Sequence, residues 1–213
     1  MSDEDARYYN QLAGSSLHRM AGLSDGIFAV AMTLLVLTLA IPAAEDVKND
    51  ADLLQAIMKL LPSVVTYFMS FLTLGIFWVG QQTQLSQLER SNRDYTWLNL
   101  ALLLAVTLLP FSTELLARFY TSRVALIEYW LNIFVLGALI LAAAEYAARA
   151  HLFNQANQAA IMHAIRRRVY IAQALYLFAT LLCVIDTRLS IGLIVLIQLN
   201  YAIAPRISVL RRI

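Results

Sequence analysis

Long apolar blocks alternate with short polar connections along this chain, and period-2 alternation of the kind a half-buried strand shows is absent from the blocks. Six of them approach the roughly 20 residues that a helix needs to cross the hydrocarbon core of a bilayer. They run over about 23–41, 60–80, 97–116, 126–146, 169–185 and 189–204. In lipid every backbone N–H and C=O has to find its partner within the chain, so only helices and closed barrels can cross. Without strand alternation, helices remain. The last two blocks are short and are separated by Asp186-Thr187-Arg188, which predicts a helical hairpin. The expected fold is an all-α integral membrane protein, a single repeat of six transmembrane helices over residues 1–213.

Composition agrees: 60% of residues are hydrophobic and 14% are charged. The leading "MSDEDARYYNQLAGSS" is acidic and polar and lacks a basic stretch followed by a short apolar one, so it does not read as a cleavable signal peptide. Cys183 is the single cysteine, which excludes an internal disulfide or a thiolate metal cluster; it reads as a small core residue.

Cytoplasmic connections retain lysine and arginine. Six spans put both termini on one side, together with Arg7, Arg19, Arg90, Arg93, Arg149, Arg166, Arg167, Arg168, Arg206, Arg211 and Arg212. Lys48, Lys59, Arg118, Arg123 and Arg188 fall on the other. Eleven of the 16 basic residues therefore place both ends in the cytosol. The outer first connection, "AAEDVKNDAD", reads as a solvated acidic loop. The run Arg166 to Arg168 sits just before a span, where it reads as a topology determinant touching anionic headgroups. With a net charge of +2 and no interleaved aromatics, nucleic acid is not an expected partner. Tyr8, Tyr9, Trp97, Tyr129 and Trp130 lie near span ends and read as interfacial anchors, although the last two could also pack inside the bundle.

No enzymatic signature is present. His18, His151 and His163 lack paired-ligand spacing, and no nucleophile elbow, phosphate loop or calcium loop occurs. The acids at or near membrane depth are Asp25, Glu128 and Glu145. The last two lie at opposite ends of the fourth block and cannot form a dyad, and Glu145 is placed to pair with Arg149 four residues on.

The first block carries the candidate chemistry. At 100° per residue, with Val30 at zero, Gly26 lies at about −40°, Thr33 at about −60°, Leu34 at about +40°, Leu37 at about −20° and Ile41 at about +20°. These six residues share one face. Ser24 and Asp25 lie about 120° and 140° away from Val30 on the same wheel. An ionised carboxylate costs roughly 2.5 to 3.5 kcal/mol at the membrane centre and less near an end, so Asp25 needs partners. Trp78, Gln81 and Gln82, at the inner end of the second block, reach its depth. Asp25 then reads as a structural acid that pins the first helix to the second. Thr33 admits two readings: a hydroxyl turned back on its own helix carbonyl, the usual fate of a threonine in a membrane helix, or a ligand for a passing cation.

Arg19-x-x-x-Leu23-Ser24-Asp25-Gly26 followed by "IFAVAMTLLVLTL" resembles the RxxxFSD signature that opens the transmembrane protein 175 family of potassium channels. Phe77-Trp78 and "NLALLLAVTLLPFST" at 99–113 are similar to that family's second and third helices. The resemblance implies a six-helix repeat without a glycine-tyrosine-glycine filter, and no such stretch occurs here. It implies four chains, a homotetramer in the plasma (inner) membrane, around one pore lined by the first helix. Carried over by position from Asp25, the family's hydrophobic ring falls on Val30, its selectivity hydroxyl on Thr33, and further apolar lining on Leu34 and Leu37. No fixed metal or cofactor is implied, only potassium permeating near Thr33. Leu23 stands where the signature has phenylalanine, which weakens aromatic packing at the helix entrance. Gln81 and Gln82 stand where histidine is usual, which removes a group that titrates near neutrality. Two other classes fit the residues alone: a secondary transporter of a small cation, and a non-conducting scaffold in which Asn99, Asn132, Gln173, Gln198 and Asn200 glue helices together.

Overall fold

Ser16 caps the first helix by accepting the Arg19 backbone N–H at 3.4 Å, so α1 (Leu17–Leu34) begins ahead of its apolar block. It tightens into a 3-10 turn over Leu35–Thr38. The structure is a computed structural model and describes residues 16–40, 42–43, 47–154 and 158–203. Ile41, Tyr8, Tyr9, Arg7, Arg206, Arg211, Arg212 and Ala204 at the end of the last block lie outside the described residues.

Part of the first connection is helical, a correction to its reading as a loop. Asn49 accepts the Asp52 N–H at 2.9 Å and starts α2 (Asp50–Lys59), with Asp50 and Asp52 in its first turn and Lys59 in its last. Acids at the N-terminus and a base at the C-terminus complement the helix dipole. Pro62 occupies the first turn of α3 (Leu61–Leu85), where a missing N–H costs nothing. Asn92 caps α4 (Arg93–Arg118), which runs through Pro110. After α5 (Arg123–Arg149) come α6 (Gln158–Leu181), ending in a 3-10 turn over Leu182–Val184, and α7 (Thr187–Ile203).

Five stretches are long and apolar enough to cross a membrane: Leu17–Thr38, α3, α4, α5 and Gln158–Val184. Seventeen residues make α7 about 26 Å long, somewhat short of the ~30 Å hydrocarbon core. The chain is thus a multi-pass membrane protein. As expected, α6 and α7 form a hairpin. The helix containing the fifth block starts at Gln158, well upstream of 169, because Arg166 to Arg168 favour the helical state and are held in it. Arg166 grips both oxygens of Glu145 on α5, at 2.5 and 2.7 Å. This corrects the expected pairing of Glu145 with Arg149: the facing helix presents a guanidinium fork that matches the carboxylate, which an in-line neighbour does not.

α4 packs against α1, α3 and α5, while α6 packs against α5 and α7. The larger apolar core joins α1 and α3 to α7 through residues such as Phe28, Met69, Val106, Leu126, Leu136 and Ile194. A second core lies at the end where α1 begins, around Met20, Leu85, Tyr95, Ala144 and Phe153. Above it the two connecting loops pair: the Glu89 N–H donates to Leu152 at 2.9 Å, and the Arg90 guanidinium donates to the His151 carbonyl at 3.1 Å.

Tyr129 is wholly buried, not an interfacial anchor. Its hydroxyl lies 3.2 Å from Ser70 and 3.0 Å from Thr73 on α3. Thr113 of α4 donates to Ser70 at 2.7 Å, and Gln198 of α7 donates to Thr73 at 2.7 Å. One hydroxyl-rich layer thus ties four helices together across an otherwise apolar interior. Asn132 and Gln173 also bond between helices, to Ser112 at 3.1 Å and to the Ile133 carbonyl at 3.2 Å. Tyr129→Phe keeps the ring and removes the central hydroxyl. It is expected to cost about 1 kcal/mol, within the span measured for interhelical hydrogen bonds in membranes. The thermal unfolding midpoint of the detergent-solubilised protein checks this, and an unchanged midpoint would mean the layer adds no net stability.

Candidate functional site: the first helix and its anchor

Met20, Ser24, Phe28, Ala31 and Leu35 recur at helical spacing and are buried, so α1 turns one stripe into the bundle. The opposite stripe is uncovered in the single chain. Gly26 and Thr33 are exposed there, and Val30, Leu34 and Leu37 are 57%, 44% and 74% exposed. Five of the six residues that the wheel groups on one face are thus brought together; Ile41 lies outside the described residues.

What fixes the rotation of α1 is polar chemistry in its N-terminal half. The Ser24 hydroxyl is fully buried and donates to the Met20 carbonyl at 2.9 Å. It also accepts from Gln81 Nε2 at 3.1 Å and from Asn99 Nδ2 at 3.2 Å. A hydroxyl has one donor and two acceptor sites, so Ser24 is saturated. Gln81 donates to Asn99 Oδ1 at 2.6 Å as well, closing a three-helix clasp of α1, α3 and α4. Asp25, one residue on, is exposed and accepts from Trp78 Nε1 at 2.8 Å and from Gln82 Nε2.

The expected partners Trp78 and Gln82 therefore meet Asp25, whereas Gln81 does not. Successive residues on α3 point about 100° apart, so Gln81 faces the bundle interior while Gln82 faces the outer flank of α1. The contribution of Asn99 to the clasp had no local signal, since its partner Ser24 is distant in sequence. Arg19 makes no ion pair among the described residues. Leu23 is 48% exposed.

Thr33 shows the first of its two readings. Its hydroxyl donates to the Val30 carbonyl at 2.8 Å, three residues back. With the proton committed to the helix, the lone pairs of Oγ1 remain free on the exposed side, which suits a cation and not an anion. Beyond it, the 3-10 turn stacks positions three apart, so Leu37 stands directly over Leu34. Thr38 is buried and bonded to the Leu35 carbonyl at 2.7 Å, on the bundle side of the same turn.

The sequence model of the family described as "Endosomal/lysosomal potassium channel TMEM175" matches residues 19–110, the stretch that carries α1, α3, most of α4 and the anchor. A potassium channel of Chamaesiphon minutus is 31% identical over 194 residues, covering 89% of this chain and 95% of that protein. A potassium channel of Streptomyces collinus is 30% identical over 188 residues, covering 86% and 90%. The crystal structure of a lysosomal potassium-selective channel TMEM175 homologue from Chamaesiphon minutus superposes with a TM-score of 0.78 at 27% identity, covering 90% of this chain and 98% of that one. With likeness in sequence and in fold along nearly the whole length, the chain belongs to the TMEM175 family of potassium channels, a family of ion channels and not of enzymes.

Proposed function

We propose that this chain forms a potassium-permeable cation channel in which four copies surround one pore lined by α1. Its spans number six, α7 being the sixth, and both termini face the cytosol from the plasma (inner) membrane. The observation that carries the reading is the uncovered stripe of α1: an apolar face interrupted by one threonine, held outward by a saturated polar clasp on the opposite side. A channel assembled from such faces has a neck of four Val30 side chains, which excludes water and so blocks ions until it widens. Thr33, one turn on, contributes four neutral oxygens that replace part of the hydration shell of potassium. Leu34, Leu37 and Ile41 line the path beyond. The names of the two bacterial relatives support potassium as the permeant ion.

Three outcomes test this reading. The detergent-solubilised complex has a protein mass of about 96 kDa, four chains of 23.9 kDa, by light scattering; a monomer rules out a shared pore. Thr33→Val lowers the potassium-over-sodium permeability ratio, read from reversal potentials in bilayers, by about five-fold, the worth of ~1 kcal/mol; an unchanged ratio removes Thr33 from ion selection. Val30→Ala widens the neck and raises single-channel conductance, whereas an unaltered current locates the constriction elsewhere. Saturating flux coupled to a second solute favours the transporter, and no flux at all the scaffold.

A further inference from the structure

Between α3 and α6 lies a cavity of about 270 Å³, floored by Gly137 and Ile140 of α5 and lined also by Tyr201 of α7. Neither α1 nor α4 takes part, so it is separate from the α1 face described above. Ile76, Gly80 and Thr83 line it from α3 at helical spacing, Gln87 from just beyond the end of α3, and Ile161, Ala164, Arg168 and Ala172 from α6. The walls are almost wholly apolar in the depth. The floor is kept low by Gly137: a Cβ there would come within 1.8 Å of Gln173 Nε2, and without one Gln173 lies across α5 and bonds to Ile133.

Charge at this cavity is one-sided. Of the three consecutive arginines, Arg166 is held by Glu145. Arg168 lines the cavity, is exposed, and has no acidic partner among the described residues. Thr83 and Gln84 of α3, and Gln87 just past its end, add polar atoms on the facing side. The site therefore offers an apolar slot with one uncompensated cation among hydrogen-bonding side chains, the complement of a fatty chain carrying an anionic head. At the ~30 Å³ a water-sized group occupies, the slot takes about nine such groups, enough for much of one acyl chain. The chain's own last residues are a poor complement, since 204–213 contain Arg206, Arg211 and Arg212 and no acid.

We infer that the cleft between α3 and α6 is a binding site for one anionic phospholipid, its acyl chain between Ile76 and Ile165 and its phosphate on Arg168. Basic pockets between membrane helices are a recurrent way of holding such headgroups. The orientation proposed above puts this lipid in the cytosolic leaflet; the site itself does not rest on that orientation. Its position also bears on the first helix: α3 uses one face for the cleft and the adjoining residues Trp78, Gln81 and Gln82 to hold Ser24 and Asp25.

The test uses the full chain reconstituted in phosphatidylcholine vesicles doped with phosphatidylglycerol bearing a photoreactive acyl chain, with adducts mapped by peptide mass spectrometry. Adducts are expected on the peptides carrying 76–87 and 161–172, with a phosphatidylcholine probe of the same chain labelling them at least five-fold less. Arg168→Gln reduces labelling about five-fold, the factor that ~1 kcal/mol per basic residue corresponds to. Arg168→Lys retains it, and Ala164→Phe, which fills the slot, abolishes it. If Arg168→Gln does not fold, Arg168→Lys and Ala164→Phe carry the comparison. Equal labelling by both probes, wild-type labelling in Ala164→Phe, displacement by inorganic phosphate, or labelling that appears only after deletion of 204–213 would each overturn the assignment. Because labelling needs no conduction, the result is independent of whether the pore reading holds.

Discussion

The rotation of α1 is the constraint on which the rest depends. A helix that is apolar on every side has no intrinsic reason to present one face to its own bundle, because lipid and protein interior are similar solvents for leucine. Ser24 breaks that symmetry. Its hydroxyl, saturated by Met20, Gln81 and Asn99, fits only when this side of α1 faces α3 and α4. Asp25 then has to emerge at the flank, where Trp78 and Gln82 receive it. With that part of α1 locked, helical periodicity alone directs Val30 and Thr33 away from the bundle.

Polar side chains do the same work elsewhere at other depths. The layer around Tyr129 registers α3, α4, α5 and α7 against one another, and the Arg166–Glu145 pair sets α6 against α5 outside the apolar core. In water such bonds compete with solvent at every point of unfolding; in lipid they compete mainly with other polar groups of the same chain, so their placement decides which helices become neighbours. The Gly137 to Gln173 crossing is an instance in which a missing side chain lets an amide reach a neighbouring backbone carbonyl.

Much of this was legible in the sequence, for reasons that differ by residue. Span positions follow from backbone desolvation, which acts on any chain, so apolar block length locates them closely. The uncovered face of α1 follows from the helical repeat. Partner choice was less legible. Nothing local separates Gln81 from Gln82, and only their 100° offset on a helix whose neighbours are known assigns one to Ser24 and the other to Asp25. Tyr129 misleads because a ring with a polar tip suits a membrane interface as well as a buried hydroxyl cluster. Glu145 followed a tertiary partner over a helical neighbour. The helix at Asp50–Lys59 did carry a signal, an asparagine cap followed by acids, that a reading centred on hydropathy passes over.

The 3-10 turn that ends the first helix has a mechanical corollary. Three residues in that form advance about 6 Å and complete a full circle, whereas in α form they advance about 4.5 Å and fall 60° short. Rewinding Leu35–Thr38 therefore screws Leu37 sideways and back toward Leu34 without displacing anything earlier on α1. The far end of α1 can change which side chains it exposes while the Ser24 clasp stays shut.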